Sequence, residues 1–143
     1  MLNQDEIRDL FAQNYHCSQV VFMEVAEELG IDRDEAARLA APLGGGMFRG
    51  DTCGAVTGAM LAIGARYGHF EPHDKEGDMR QQEKVKEFQK QFTERFGSTI
   101  CRELAGYDFS QPGELMKAAQ SGVLLQKCPG FVEGALEILE DIL

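Results

Sequence analysis

The sequence predicts an all-α protein, a single compact, bundle-like domain of six or seven helices. Apolar residues recur at three- and four-residue spacing along most of the chain, as they do on amphipathic helices. No segment alternates apolar and polar residues with the β-branched content of a half-buried strand. The 143 residues contain no repeat, low-complexity tract or interdomain linker, so we expect one domain over residues 1–143.

Local start and stop signals divide the chain into these helices. Asn3 with Glu6, and Asp32 with Glu35, have the spacing of capping boxes, and Gly97 follows the longest helical stripe. The first predicted helix opens at Asn3. The later predicted segments are, in chain order, 14 or 17 to 29, 32 to 41, 52–67, 75–96, a short turn over 98–104, a weaker helix over 113–125, and 131–143.

Composition excludes several classes of function. Lys and Arg total 14 against 24 Asp and Glu, a net charge of −10, so no basic surface is expected to bind nucleic acid or an anionic membrane. No apolar run approaches the length of a membrane span, and the N-terminus lacks the pattern of a signal peptide. We therefore expect a cytoplasmic protein, in a reducing compartment where cysteines more often bind metals or carry redox chemistry than form permanent disulfides.

Four cysteines carry most of the functional information: Cys17, Cys53, Cys101 and Cys128. They form no Cys-x-x-Cys pair. The predicted boundaries place Cys17 and Cys101 at the third position of a helix, Cys53 at the first position, and Cys128 at an N-cap before Pro129. Every cysteine is thus expected in or beside the first turn of a helix.

That placement has a chemical consequence. A helix N-terminus presents unpaired N–H groups and a partial positive charge, which lower the pKa of a cysteine there and favour its thiolate. Apolar residues follow each cysteine at three- or four-residue spacing, for example Val21 after Cys17 and Val56 after Cys53. We therefore expect the four sulfurs to point inward and to meet at one place.

The segment around Cys53 is unusually rich in small residues. Gly54 and Gly58 lie inside a predicted helix, where each glycine costs about 1 kcal/mol relative to alanine. We expect them to allow close approach of another helix or of a cofactor beside Cys53. The preceding glycines, residues 44–46, would let backbone N–H groups gather around an anion.

Two other groups of residues have simpler interpretations. His69, Glu71, His73 and Asp74 include metal-ligand types, but Pro72 separates the histidines, so a solvated loop is expected. The stripe on the longest helix is expected to be core, or a homodimer surface if the domain is too thin to cover it; its members are Met79, Val85, Phe88, Phe92 and Phe96.

His16 precedes Cys17 and could assist a thiolate, although adjacent helical residues point in different directions. The chain contains no Ser–His–Asp set, no phosphate-binding loop and no dinucleotide fingerprint.

The residues around Cys53 read Cys-Gly-Ala-Val-Thr-Gly, from Cys53 to Gly58. With the settings of Cys17, Cys101 and Cys128, this motif resembles the small redox-active proteins of the C_GCAxxG_C_C family along essentially the whole chain. A cysteine-bearing region of split-Soret cytochromes, which contain an iron–sulfur cluster and haem, is also similar. That resemblance implies a cluster here, while the absence of Cys-x-x-Cys-His makes covalent haem unexpected.

Three hypotheses follow for Cys17, Cys53, Cys101 and Cys128. They bind an iron–sulfur cluster, with Gly54 and Gly58 beside it, and the protein carries electrons to a redox partner. Alternatively they need no cofactor and form thiol–disulfide pairs, with Cys53 as the preferred attacking thiol. In the third hypothesis they hold a structural zinc in a scaffold or binding module without redox activity.

Overall fold

Eight α-helices form the framework of the computed structural model, which describes residues 1–143. The all-α prediction is confirmed, and the helix count exceeds the predicted six or seven because both weak segments before the last helix fold. The helices are α1 (Gln4–Ala12), α2 (Cys17–Ala26), α3 (Arg33–Ala40), α4 (Gly54–Tyr67), α5 (Lys75–Phe96), α6 (Cys101–Ala105), α7 (Glu114–Ser121) and α8 (Val123–Ile142).

Helix α2 occupies the centre of the fold. Residues 18–23 are all buried, so the helix is covered on every side rather than along one stripe. It packs against α3, α4 and α8, while α5 closes the other side of α4 and α8 with Phe88 and Phe92, both fully buried. The first residue of α2, Cys17, is therefore carried by the most constrained element of the protein.

Two glycines let α4 approach α2. A Cβ atom on Gly58 would lie 2.6 Å from the carbonyl oxygen of Ser18, and one on Gly54 would lie 2.5 Å from the sulfur of Cys17. The Ser18 hydroxyl is fully buried and donates to the carbonyl of Ala40 (2.7 Å), which joins α3 to the same contact. Close approach of a helix is thus one reason for the glycines in this helix.

Helix α8 begins at Val123, eight residues before its predicted start at position 131, and continues through Pro129. Proline has no N–H to donate to the carbonyl four residues earlier, and that group belongs to Leu125. The guanidinium of Arg8 on α1 donates to the Leu125 carbonyl instead (3.0 Å). A tertiary hydrogen bond therefore compensates for the proline and keeps α8 continuous past Cys128.

The long helix α5 has the predicted bounds. Asp74 caps its start by accepting from the Gly77 amide (2.9 Å), and Gly97 ends it at φ 88°. Phe88 and Phe92 are core, as expected, whereas Met79 is 63% exposed and does not belong to the buried stripe. A homodimer remains a prediction.

The loop before α5 is solvated, as predicted: residues 69–74 are all exposed. His69 Nδ1 lies 2.9 Å from the side-chain amide of Gln81. None of the eight helices combines the length and apolar content that a membrane crossing requires.

The contact of α4 with α2 predicts opposite effects for two glycine substitutions on α4. Gly58→Ala should destabilise the protein by about 2 kcal/mol, because the added methyl meets the backbone of Ser18, which cannot move aside. Gly64→Ala should stabilise it by roughly 0.5–1 kcal/mol, because nothing lies within 4 Å of the added methyl. Urea unfolding measures both free energies, and equal effects would contradict the close approach.

The hydrogen bond between Arg8 and the Leu125 carbonyl predicts coupling with Pro129. Arg8→Ala should cost about 1 kcal/mol in the natural sequence. The cost should nearly disappear in a Pro129→Ala background, where the new amide can reach the Leu125 carbonyl itself. A double-mutant cycle by urea unfolding tests this, with Asp5→Ala as the control for the exposed ion pair of Arg8. The same cost in both backgrounds would disprove the compensation.

Candidate functional site

All four cysteines line one cavity of about 280 Å³. The cavity lies where α2, α4, α6 and α8 meet, with α7 on one side, and fifteen of its eighteen lining residues are hydrophobic. All four are free thiols. Although more than a hundred positions separate the first cysteine from the last, the same apolar cavity is lined by Cys17, Cys53, Cys101 and Cys128.

Three of these cysteines stand at helix starts, within two residues of the predicted positions. Cys17 and Cys101 are the first residues of α2 and α6, and Cys53 is the N-cap of α4. The prediction for Cys128 is wrong. Because α8 begins at Val123, Cys128 lies inside that helix and has no helix terminus beside it.

A short antiparallel bridge between Thr52 and Ile100 joins the segments of Cys53 and Cys101. The Cys53 amide donates to the Thr99 carbonyl (2.8 Å), and the Cys101 amide donates to the Asp51 carbonyl (2.6 Å). Along each strand of such a bridge, successive side chains point to opposite faces. Cys53 and Cys101 each follow a residue of the bridged pair, so both leave the backbone on the same side. The bridge directs both thiols into the cavity, immediately before α4 and α6 begin.

The sulfur of Cys17 has the most polar surroundings of the four. The nearby backbone N–H groups of Gly45, Ser18, Cys17 and Gly54 partly offset the rise in its pKa that burial causes. Gly45 belongs to the glycine-rich loop, where residues 45–48 have φ between 57° and 63°. This left-handed path turns one of the loop's N–H groups toward the sulfur, as expected for a loop that can surround an anion.

Burial nevertheless determines the acidity of all four thiols. It raises the pKa of Cys17, raises that of Cys53 well above its usual range, and raises that of Cys101 to about 12. The pKa of Cys128 is also raised, first by burial. The predicted lowering by helix N-termini is therefore wrong, because the loss of hydration outweighs the few N–H groups nearby.

The thiols also influence one another. After burial, the charge of Cys17 is the next cause that raises the pKa of Cys53, Cys101 and Cys128. Cys17 is thus the central thiol, since its charge acts on each of the other three.

The predicted neighbours of the cysteines have different positions. Gly54 and Gly58 face α2 and do not line the cavity. His16 does line it: its ring meets Phe48 edge to face, with the ring centroids 5.2 Å apart. His16 and Phe48 together form the wall next to Cys17.

The aromatic part of this wall was not predicted from the sequence. Five Phe and Tyr side chains surround the thiols, and they come from four separate stretches of chain: Phe11, Tyr15, Phe48, Phe109 and Phe131. Tyr15 and Phe131 lie within three residues of a cysteine, which is a local signal. Phe109 and Phe48 reach the cavity only through the path of their loops.

The spacing of the sulfurs bears on the metal hypotheses. No three His, Cys, Asp or Glu side chains are grouped tightly enough to hold one metal ion. A closed zinc site needs four thiolates on a single ion, so these side chains would have to move together to form one. An iron–sulfur cluster binds its cysteines through different irons, and thiols spread around a cavity fit that donor set better.

Fold and site together define a small, all-helical redox protein with four cysteines around one apolar cavity. The chain belongs to the family described as "Putative redox-active protein (C_GCAxxG_C_C)", whose model matches residues 15–142. We find no curated protein and no solved structure that matches it.

The raised thiol pKa values predict a loss of stability at alkaline pH. A cysteine in the unfolded chain ionises near pH 9.0, whereas Cys101 in the folded protein has a pKa of about 12. The unfolded state therefore releases this proton first as the pH rises. The contribution of Cys101 is complete below pH 9.0 and is lost toward pH 12, by at most about 1.4 kcal/mol per pH unit.

Urea unfolding under reducing conditions at a series of pH values measures this loss. The Cys101→Ser variant should show a shallower decline above pH 9.0 than the natural sequence. Parallel declines in the two proteins would show that the pKa of Cys101 is not raised by folding.

Proposed function

We propose that this protein is a thiol–disulfide redox protein in which Cys17 is the attacking thiol. The observation that carries the proposal is the convergence of four free thiols on one cavity. In the reaction, two S–H bonds break and one S–S bond forms, while two electrons and two protons pass to an acceptor. The family's redox activity agrees with this chemistry.

Cys17 is a better attacking thiol than Cys53. The thiolate is the nucleophile in disulfide exchange, and nearby backbone N–H groups offset part of the rise that burial causes in the pKa of Cys17. Cys53 is only 5% exposed, and the charge of Cys17 opposes its ionisation. The sequence favoured Cys53 because of its helix start, but that position also buries it.

Cys53 is the favoured second member of the pair. The next residue, Gly54, packs directly on the Cys17 sulfur, so Cys53 lies one residue from that contact. Apart from burial, the charge of Cys17 is the strongest influence on the pKa of Cys53. Cys101 and Cys128 complete the cavity wall and provide a second pair of thiols.

An iron–sulfur cluster is the second candidate, and the same convergence of thiols favours it. Cys17, Cys53, Cys101 and Cys128 would hold the cluster, which when bound supplies one-electron transfer. The backbone N–H groups at the Cys17 sulfur would then stabilise negative charge on a cluster ligand.

Oxidation of the reduced protein with diamide, under anaerobic conditions, tests the first candidate. We expect a disulfide between Cys17 and Cys53, identified by peptide mass spectrometry and reversed by dithiothreitol. Cys17→Ser should abolish it, since the attacking sulfur is gone. Cys128→Ser, a matched loss of one cavity thiol, should leave it intact.

Freshly purified protein decides between the candidates. Bound iron and sulfide with visible absorption would replace the thiol–disulfide proposal by the cluster. One zinc per chain, with no change on mild reduction, would disprove both redox candidates. Colourless, metal-free protein that forms the Cys17–Cys53 disulfide would support the first.

A further inference from the structure

We infer that the cysteine cavity binds an uncharged, planar, conjugated electron acceptor of the quinone class, which the thiols in the cavity wall reduce. This inference rests on the proposed thiol–disulfide function and names the substrate class for it. It is carried by the lining of the cavity, the openness of its rim, and a polar edge beside Cys17.

The lining indicates an uncharged ligand. No Lys, Arg, Asp or Glu is among the eighteen lining residues, although charged residues make up 27% of the chain. An anionic ligand such as a nucleotide or a charged peptide would lose its hydration without gaining an ion pair. A volume of about 280 Å³ lies at the small end for ligand pockets, which suits a single substituted ring.

The aromatic side chains favour a flat ligand. Aromatic groups pack on other rings by offset stacking or by edge-to-face contact. Such contacts already occur within this wall, where His16 meets Phe48 edge to face. Phe11, Phe109 and Phe131 add further ring surfaces around the thiols.

The rim of the cavity is open to ligands from outside. Phe48, Leu115 and Leu125 line the cavity, yet they remain 46%, 46% and 49% exposed. Exposed apolar groups around a concave site are typical of a binding mouth. A small apolar molecule can therefore reach the thiols.

One edge of the cavity offers hydrogen-bonding groups for carbonyl oxygens. Asn14, Tyr15 and His16 precede Cys17 and all line the cavity. The side chains of Asn14 and Tyr15 form no hydrogen bond within the protein, whereas many other polar side chains of the fold do. An amide, a hydroxyl and an imidazole beside the central thiol suit the carbonyl groups of a quinone.

The atoms and electrons of the reaction balance without a further reagent. Cys17 and Cys53 lose two S–H bonds and form one S–S bond. The two hydrogens and two electrons convert both carbonyl groups of the quinone into hydroxyls, so the product is a hydroquinone. Reduction of the disulfide by an external dithiol restores the protein for the next turnover.

Duroquinone (tetramethyl-1,4-benzoquinone) is a suitable probe, because its ring carbons are fully substituted and form no stable thiol adduct. We expect anaerobic, reduced full-length protein to bind it, to convert it to the hydroquinone, and to gain the Cys17–Cys53 disulfide. Absorbance follows the quinone, and mass spectrometry follows the disulfide. Cys53→Ser should still bind the probe but should form no disulfide at Cys17.

A charge on the cavity wall tests the location of binding. Leu115→Asp places a carboxylate on the lining and should weaken binding by about tenfold or more. Met116→Asp is the matched control, because Met116 neighbours Leu115 on α7, is 66% exposed and does not line the cavity. A second pair of variants is Phe48→Ala, inside the cavity, and Phe70→Ala, outside it. Circular dichroism confirms that each variant is folded.

The outcomes separate this inference from the function on which it rests. If diamide produces the Cys17–Cys53 disulfide but duroquinone is neither bound nor reduced, the quinone inference is overturned and the thiol–disulfide function stands. Equal binding by Leu115→Asp and Met116→Asp would also overturn it. If neither reagent produces a disulfide, the thiol–disulfide function fails, and the reduction step fails with it.

Discussion

The close contact between α4 and α2 is the constraint on which the rest of this structure depends. Gly54 and Gly58 bring the α4 backbone against Cys17 and Ser18, at a distance that no side chain would permit. Ser18 is fully buried there and ties α3 to the same place. This contact holds Cys17 beside the segment of Cys53. The two glycines of the motif are therefore part of how the site is built, although they do not line its cavity.

Two opposing physical effects determine the state of the thiols. Backbone N–H groups favour the thiolate at Cys17, and loss of hydration disfavours it at every cysteine. The loss of hydration is the larger effect, so the four thiols are protonated near neutral pH. Four backbone N–H groups offset part of that loss at Cys17, whereas one does so at Cys53 and none at Cys101 or Cys128. A difference in local hydrogen bonding, rather than in chemical type, therefore distinguishes one thiol from the other three.

The apolar walls and the cysteines have complementary roles in the thiol–disulfide function that we propose. A thiol pair that exchanges electrons must be reached by its acceptor, yet it must be kept from unwanted reactions in water. An aromatic cavity with a half-exposed rim would provide both access and selection. Convergence from α2, α4, α6 and α8 makes the site sensitive to the whole fold, since the thiols have no local motif that joins them.

The sequence by itself determined the features that depend on neighbouring residues. The bounds of α5 were predictable because Asp74 and Gly97 act through local hydrogen bonds and backbone geometry. The motif at Cys53, together with the settings of the other three cysteines, likewise indicated the family to which the chain belongs. Only the tertiary structure decided the course of α8 through Pro129, where Arg8 supplies a partner for the Leu125 carbonyl. It also decided the acidity of the cysteines and the aromatic lining, because burial depends on residues that are distant in sequence.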